Sequence, residues 1–256
     1  MKIGVLIPCT SKGREWSTIR DTYLFHFTLK TFIATLSPGH TYLFYIGYDA
    51  MDPIFSKREE HAYLTIFKTF VSFRFIEMTS TPGYLTKMWN HLFRVAYQEG
   101  CDYFFQCGDD ILFKTRGWVD ECIRVLQQHG NVGLTGPDNL NGRILTQSFV
   151  SRKHMEIFGE YFPETIINWG CDDWYNWVYE GHLYPLKSHV CTNEGGKPRY
   201  IINHDEAFET DFNKNLDELR EQVMQIAIQD RVKIKDYLCL LNLNDSDMNL
   251  NDSDTA

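Results

Sequence analysis

Residues 103–113 read Tyr-Phe-Phe-Gln-Cys-Gly-Asp-Asp-Ile-Leu-Phe, an apolar run broken by two adjacent carboxylates. A short continuous apolar run that stops at a turn glycine is the pattern of a buried strand. Gly108 is that glycine, so Asp109 and Asp110 fall at a strand end before the chain turns apolar again at Ile111. Carboxylates gathered at such a point invite a divalent cation.

The N-terminal segment repeats the pattern without the acids. Ile3, Val5, Leu6 and Ile7 form a continuous apolar run ended by Pro8, as in a buried parallel strand, and a polar loop follows from Cys9 through Thr10 to Arg14. Ligands of open α/β sheets bind in loops at the carboxyl ends of parallel strands. Lys12 and Arg14 are placed to meet a nucleotide there, or else to form a solvated basic loop. Residues 16–36 carry apolar side chains at helical spacing, and residues 42–46 predict a second strand. Asp49 falls just past that strand, where a carboxylate accepts hydrogen bonds from a nucleobase imide or a ribose, or closes an Asx turn.

A helical stretch over 55–70 and a strand over 71–77 come next. The Ser, Thr, Pro and Gly at 79–83 then open a helix whose apolar face holds Leu85, Met88, Trp89, Leu92, Phe93 and Ala96. A helix start of this kind favours anions, and Lys87 one turn in has the reach to contact a diphosphate; an exposed helical lysine is otherwise simply solvated. Further helices are expected from Gly117 to about His129 and over 152–158, with strands over 131–137 and 144–150.

A second acidic cluster follows at residues 168–177, Asn-Trp-Gly-Cys-Asp-Asp-Trp-Tyr-Asn-Trp. Acids at a helix N-terminus are favoured by the macrodipole, and capping accounts for one of Asp172 and Asp173. Both acids beside Trp169 and Trp174 also offer what a sugar ring needs of a pocket, apolar ring faces together with hydrogen-bonding carboxylates. Beyond them lie a strand over 184–191, a Gly-Gly loop over 192–199, and a strand over 200–205 that brings His204 to a strand end as a third metal-ligand candidate. A long helix is expected over 211–241. The tail, 242–256, repeats a seven-residue unit, Asn-Leu-Asn-Asp-Ser-Asp-Met and Asn-Leu-Asn-Asp-Ser-Asp-Thr in its first six positions, and its polar acidic composition predicts disorder.

Composition limits the readings. At 256 residues and 43% hydrophobic content the chain is long enough for one large α/β domain or two small ones with a real core. A net charge of −9 argues against a nucleic-acid surface, which needs clustered cations. The seven cysteines include no CxxC pair, which gives no zinc or disulfide framework and points to a reducing compartment. No basic leader and no apolar run of the roughly 18 to 20 residues that span a bilayer occur, so a soluble, cytoplasmic protein without a transmembrane segment is expected.

Taken together, the order of these parts resembles the GT-A fold of nucleotide-sugar-dependent glycosyltransferases over about residues 2–205. The resemblance implies an α/β fold with a Rossmann-type, mostly parallel central sheet, flanking helices and a C-terminal helix, in one domain over 1–241. Its nucleotide-binding half would span about 1–115 and its acceptor half 116–205. Pro8, Thr10, Arg14, Asp49, Lys87 and Asp109 would then hold the nucleotide. Gly108-Asp109-Asp110 looks like the family's acidic metal motif with its first acid replaced by glycine, so Asp110, with His204, would hold Mn²⁺ or Mg²⁺. Residues 169–173 look like the family's Trp-Gly and acidic-pair motif. That implies Asp173 as the general base of an inverting enzyme, with Asp172 binding an acceptor hydroxyl or acting as base instead, and Trp169 and Trp174 contacting sugar. The expected partners are a nucleotide sugar, UDP-linked first, and a glycan or glycoconjugate acceptor. A sugar nucleotidyltransferase and a catalytically silent carbohydrate-binding relative remain alternatives; the first would want a glycine-rich loop after the first strand, where residues 9–14 hold one glycine.

Overall fold

A computed structural model describes the backbone over 1–79, 84–195 and 212–251, and side chains over the same spans except 212–214 and 242–251. Among the described residues, eight strands form one mixed sheet. In chain order they are β1 (Lys2–Cys9), β2 (Thr41–Asp49), β3 (Ser72–Met78), β4 (Tyr103–Gln106), β5 (Ile111–Phe113), β6 (Leu134–Asp138), β7 (Phe149–Ser151) and β8 (Leu183–Asn193). Across the sheet they run β3-β2-β1-β4-β7-β6-β8-β5. β3, β2, β1 and β4 are mutually parallel, β7 is antiparallel to β4 and β6, and β8 is parallel to β6. The mostly parallel sheet expected from sequence is therefore present, with β7 and β5 reversed.

The continuous apolar strands divide by parity. Ile3, Val5, Ile7, Phe44, Ile46 and Phe105 join one core cluster, while Leu6, Leu43, Tyr45 and Phe104 join the other, as period-two alternation requires of a sheet covered on both faces. The first cluster packs on the segment 19–34 and on α4 (Trp118–Gln128). The second packs on α3 (Leu85–Gln98), α6 (Cys171–Val178) and the long C-terminal helix. Three shorter helices, α1 (Lys30–Ala34), α2 (Arg58–His61) and α5 (Lys153–Phe158), complete the set, and the C-terminal helix is α7 (Phe212–Asn251).

Several expected boundaries move. The helix expected over 16–36 begins as a short 3₁₀ turn at Ile19–Asp21 and widens to a π-type segment at Leu24–Leu29 before α1. The strand expected over 144–150 shrinks to β7. The Leu145 N–H and C=O are both taken by the Asn176 side chain, at 2.9 and 2.8 Å, so this backbone has no ladder to join. β2 runs three residues further than expected, which makes Asp49 its last residue rather than part of the following loop. The helix boundary expected at 241 is not one: helical backbone continues to Asn251, and the seven-residue unit read as a disordered tail is also two helical turns long. The expected strand over 200–205, with His204, lies outside the described residues, as do residues 196–199 of the Gly-Gly loop and residues 252–256.

Candidate functional site

The acidic turn after β4 is tied down from two sides. Thr28 donates its hydroxyl to the Gly108 carbonyl at 3.1 Å and accepts from the Ile111 N–H at 2.9 Å. The Gly108 N–H donates to the Gln147 side chain at 2.9 Å. The chain then crosses to the far edge of the sheet, where β5 pairs antiparallel with β8. In this turn Asp109 is fully buried, whereas Asp110 reaches the wall of a cavity.

That cavity, about 550 Å³, opens at the carboxyl ends of β1 and β4. Pro8 and Gln106 line it from the strands, Leu85 and Trp89 from the first turns of α3, and Gln147 from the loop before β7. Asp110 stands with Thr192 and Asn193 at the end of β8, while Trp169 and Asp172 come from the start of α6. The two acidic clusters recognised in the sequence, far apart along the chain, thus each supply a carboxylate to one concave site.

Glycine makes the Asp110 position possible. A Cβ on Gly108 would lie 2.8 Å from Asp110 Oδ1, and a Cβ on Gly195 would overlap the other oxygen of the same carboxylate. The Glu194 N–H also donates to the Asp110 carbonyl at 2.9 Å, which brings the end of β8 down onto the turn. A side chain at position 108 would therefore crowd the Asp110 carboxylate.

Asp172 is positioned by the start of α6. Gly170, at φ +86°, ends the preceding loop, and Val223 of α7 packs so closely on it that a Cβ would sit 2.9 Å from a Val223 methyl. Helix α6 starts one residue later, with both acids in its first turn, where the macrodipole favours them. Gln106, at the end of β4, donates from Nε2 to Asp172 Oδ1 at 2.9 Å. Burial pushes the Asp172 carboxyl up to about 7; the Gln106 hydrogen bond pulls it down, the neighbouring Asp173 adds to the rise, and Arg143 opposes it. A carboxyl poised there accepts or gives up a proton near neutral pH. Asp173 instead faces Arg143, with which it forms an ion pair, and it does not line the cavity.

The remaining sequence expectations divide. Pro8, Asp110, Asp172 and Trp169 meet in the cavity. Trp174 does not: it is 1% exposed, packs against Phe158 and Phe162, and donates its indole N–H to Asp230 of α7 at 3.1 Å. Its apolar bulk is used in the core, so it presents no ring face to a sugar. Thr10 is buried and donates to Asp52 at 3.3 Å, and Arg14 stacks over Trp16 and Tyr23, so neither lines the cavity. Lys87 points to a separate, smaller cavity with Glu77, His91 and Arg94, on another face of α3 from Leu85 and Trp89. Asp49 is 4% exposed, with Lys12 Nζ 3.7 Å from its carboxylate. Burial raises its pKa, Lys12 opposes the rise and Asp52 adds to it.

Sequence reasoning missed Asp52, Gln106, Gln147 and Trp89. Asp52 accepts from the Ser11 N–H and hydroxyl and from the N–H groups of Ile54 and Phe55, at 2.5–3.0 Å, and so joins the loop after β1 to the loop after β2. Its Asp-Pro context in a turn was the available signal. Gln106 carried one as well, as a polar residue inside an apolar strand.

Among the described residues no group of three or more His, Cys, Asp or Glu side chains converges as a metal cage. A single wall carboxylate is nonetheless compatible with a cation of the Mg²⁺ type, which is commonly bound by one or two carboxylates plus substrate phosphates rather than by protein alone. Also among the described residues, no helix is long and apolar enough to cross a membrane.

The mixed, largely parallel sheet, its flanking helices and its C-terminal helix make a GT-A-like fold. Solved structures that share it include S. aureus TarS 1–349 in complex with UDP, with a TM-score of 0.52 and 12% identity over 75% of this chain and 60% of that one. The same TarS fragment in complex with UDP-GlcNAc matches with a TM-score of 0.53 at 13% identity over 77% and 60%. The mannosyltransferase PcManGT from Pyrobaculum calidifontis, in complex with GDP-Man and Mn²⁺, matches at 0.54 and 14% over 77% and 58%. The chain thus spans 58–60% of the length of these structures, and at such identities the likeness is one of fold. No protein-family model and no curated protein sequence matches the chain.

Proposed function

We propose that the protein is a metal-dependent glycosyltransferase that moves a sugar from a nucleotide sugar, UDP-linked first among candidates, to a hydroxyl of a glycan or glycoconjugate. The observation that carries this reading is that Asp110 and Asp172, from two separate acidic clusters, line one cavity at the carboxyl ends of parallel strands. Support comes from the nucleotide and nucleotide-sugar ligands named for structures of the same fold.

In this reading Asp172, rather than Asp173, is the general base. It lines the cavity and titrates near neutrality, whereas Asp173 is committed to Arg143. Its carboxylate takes the proton of the acceptor hydroxyl as that oxygen bonds to the anomeric carbon. The bond from that carbon to the diphosphate breaks with its electron pair leaving on the phosphate oxygen, and the configuration inverts. In this reading Trp169 contacts the sugar or acceptor, and Pro8 and Asp110, which line the same cavity, contact the nucleotide. A divalent cation at Asp110 would offset the charge growing on the diphosphate. The cytoplasm is the expected setting, because nucleotide sugars and reduced thiols coexist there.

The test is a panel of nucleotide sugars scored for thermal stabilisation with and without Mn²⁺ or Mg²⁺, followed by transfer assays with any binder. At least one should stabilise the wild type, more strongly with metal, and Asp110→Ala should lose that dependence. Absence of stabilisation by every nucleotide and nucleotide sugar would overturn the reading; glycan binding that persists without either would favour the silent carbohydrate-binding alternative.

A further inference from the structure

Helix α7 carries two apolar faces where one suffices to hold it. The first, with Val223, Ala227 and Ile234, is buried against α6 and the second core cluster. About 120° round the helix from it, Met224, Ile228 and Val232 recur every four residues with 38%, 48% and 54% of their surface exposed. At 100° per residue these three fall within one stripe, and exposed Glu221 and Lys235 continue it at its two ends. Beside the stripe lies a cavity of about 400 Å³, whose lining includes Ile228, Val232, Lys235 and Leu238. Glu180, which pairs with Arg231 at 2.5 Å, and His182 bound it on the side of the β8 approach.

We propose that this face docks a second copy of the same chain, α7 against α7 in antiparallel orientation, with the two-fold axis passing Ile228. The stripe reads acid, apolar, apolar, apolar, base, which is complementary to itself when reversed. Centring on Ile228 sets that residue against its copy, brings Met224 level with Val232, and brings Glu221 level with Lys235. Both ends of the stripe are then matched in charge while the apolar middle leaves water, as an isologous contact requires. The groove beside Val232 receives the flexible Met224 side chain of the other copy. Neither a basic peptide, an acidic peptide nor an anionic membrane satisfies both ends, because each would leave one charge facing its like.

Sedimentation velocity of the full chain from low to high micromolar concentration tests the proposal. The weight-average mass should rise with concentration from 30.1 kDa toward twice that value. Ile228→Glu, which puts two carboxylates on the axis, should hold the protein at monomer mass with unchanged far-UV circular dichroism and melting temperature, since Ile228 is already half exposed. Glu221→Lys and Lys235→Glu should each weaken association about tenfold, because every substitution acts twice across a two-fold axis. The double exchange should restore it. A monomer at all concentrations, a dimer indifferent to Ile228→Glu, or a double exchange no tighter than the single variants would each overturn the antiparallel contact.

Discussion

In the proposed mechanism the Gln106 amide sets the pH at which Asp172 acts as the base, and replacing it isolates that effect. In Gln106→Leu the strand and the cavity wall keep their shape while the 2.9 Å hydrogen bond to Asp172 Oδ1 disappears. A hydrogen bond to a charged group is worth about 1.5–3 kcal/mol, and 1.36 kcal/mol corresponds to one unit in pKa, so the carboxyl should move from about 7 to about 8–9. A base must be unprotonated to work. At pH 7 the ionised fraction then falls from about one half to between roughly a tenth and a hundredth, and kcat/KM drops about 5- to 50-fold. The loss should vanish above about pH 10, where both proteins are ionised. The assay is the pH profile of kcat/KM for whichever nucleotide sugar the stability panel identifies. Carboxyl infrared difference spectra, assigned with Asp172→Asn, report the same titration without turnover. An acid limb that stays in place, or a loss of rate equal at every pH, would refute the assignment of Gln106 and Asp172 as a coupled pair.

Three further outcomes follow from the same geometry. Asp172→Asn should abolish transfer yet stabilise the fold at alkaline pH: with its folded pKa raised above the ordinary 3.8, the native state binds the extra proton, so wild-type stability declines between about pH 4 and 7. The full effect is at most about 4 kcal/mol, of which about 2.6 kcal/mol falls between pH 5 and pH 8, read by denaturant unfolding at those two values; a wild type insensitive to pH over that interval would contradict it. Gly195→Ala and Gly108→Glu should both displace the Asp110 carboxylate and cost metal-dependent nucleotide stabilisation, even though the second restores an acid to the motif; tighter binding by Gly108→Glu would refute the steric account. Trp174→Ala should cost about 3–5 kcal/mol in urea unfolding as a core deletion, whereas half-buried Trp169→Ala should cost far less and instead weaken sugar or acceptor binding.

The fold was readable wherever one element's own pattern decided it. β1, β3, α3, α4 and α5 fall within a residue or two of their expected bounds, because their apolar periodicity and bounding glycines are local facts. Segment 144–150 failed for the opposite reason: its Ile, Thr, Phe and Val suit a strand, but Asn176, some 30 residues on, captures the Leu145 backbone. No window around Leu145 contains that competitor. The same limit explains Trp174. A tryptophan beside two acids reads as a sugar platform until Asp230 and the aromatic neighbours brought by the fold claim it for the interior.

The site divides along the same line, and Gly108 shows how. Read as a motif, a glycine in place of an acid is a missing ligand; in three dimensions it is the space into which the Asp110 carboxylate turns, with Gly195 closing the other side. Two glycines nearly ninety positions apart thus fix the direction of one side chain, and only one of them lies in the motif. At the second acidic cluster Gly170 does the equivalent for Asp172, letting Val223 approach so that α7 buttresses the turn from which α6 starts. The acids could be nominated from sequence because two carboxylates at a strand end and two at a helix start are locally conspicuous. Which acid of each pair faces the cavity, Asp110 over Asp109 and Asp172 over Asp173, is set by what packs behind it. A change at Val223 or Gly195, outside both acidic clusters, should therefore reorient a cavity carboxylate as effectively as a change within them.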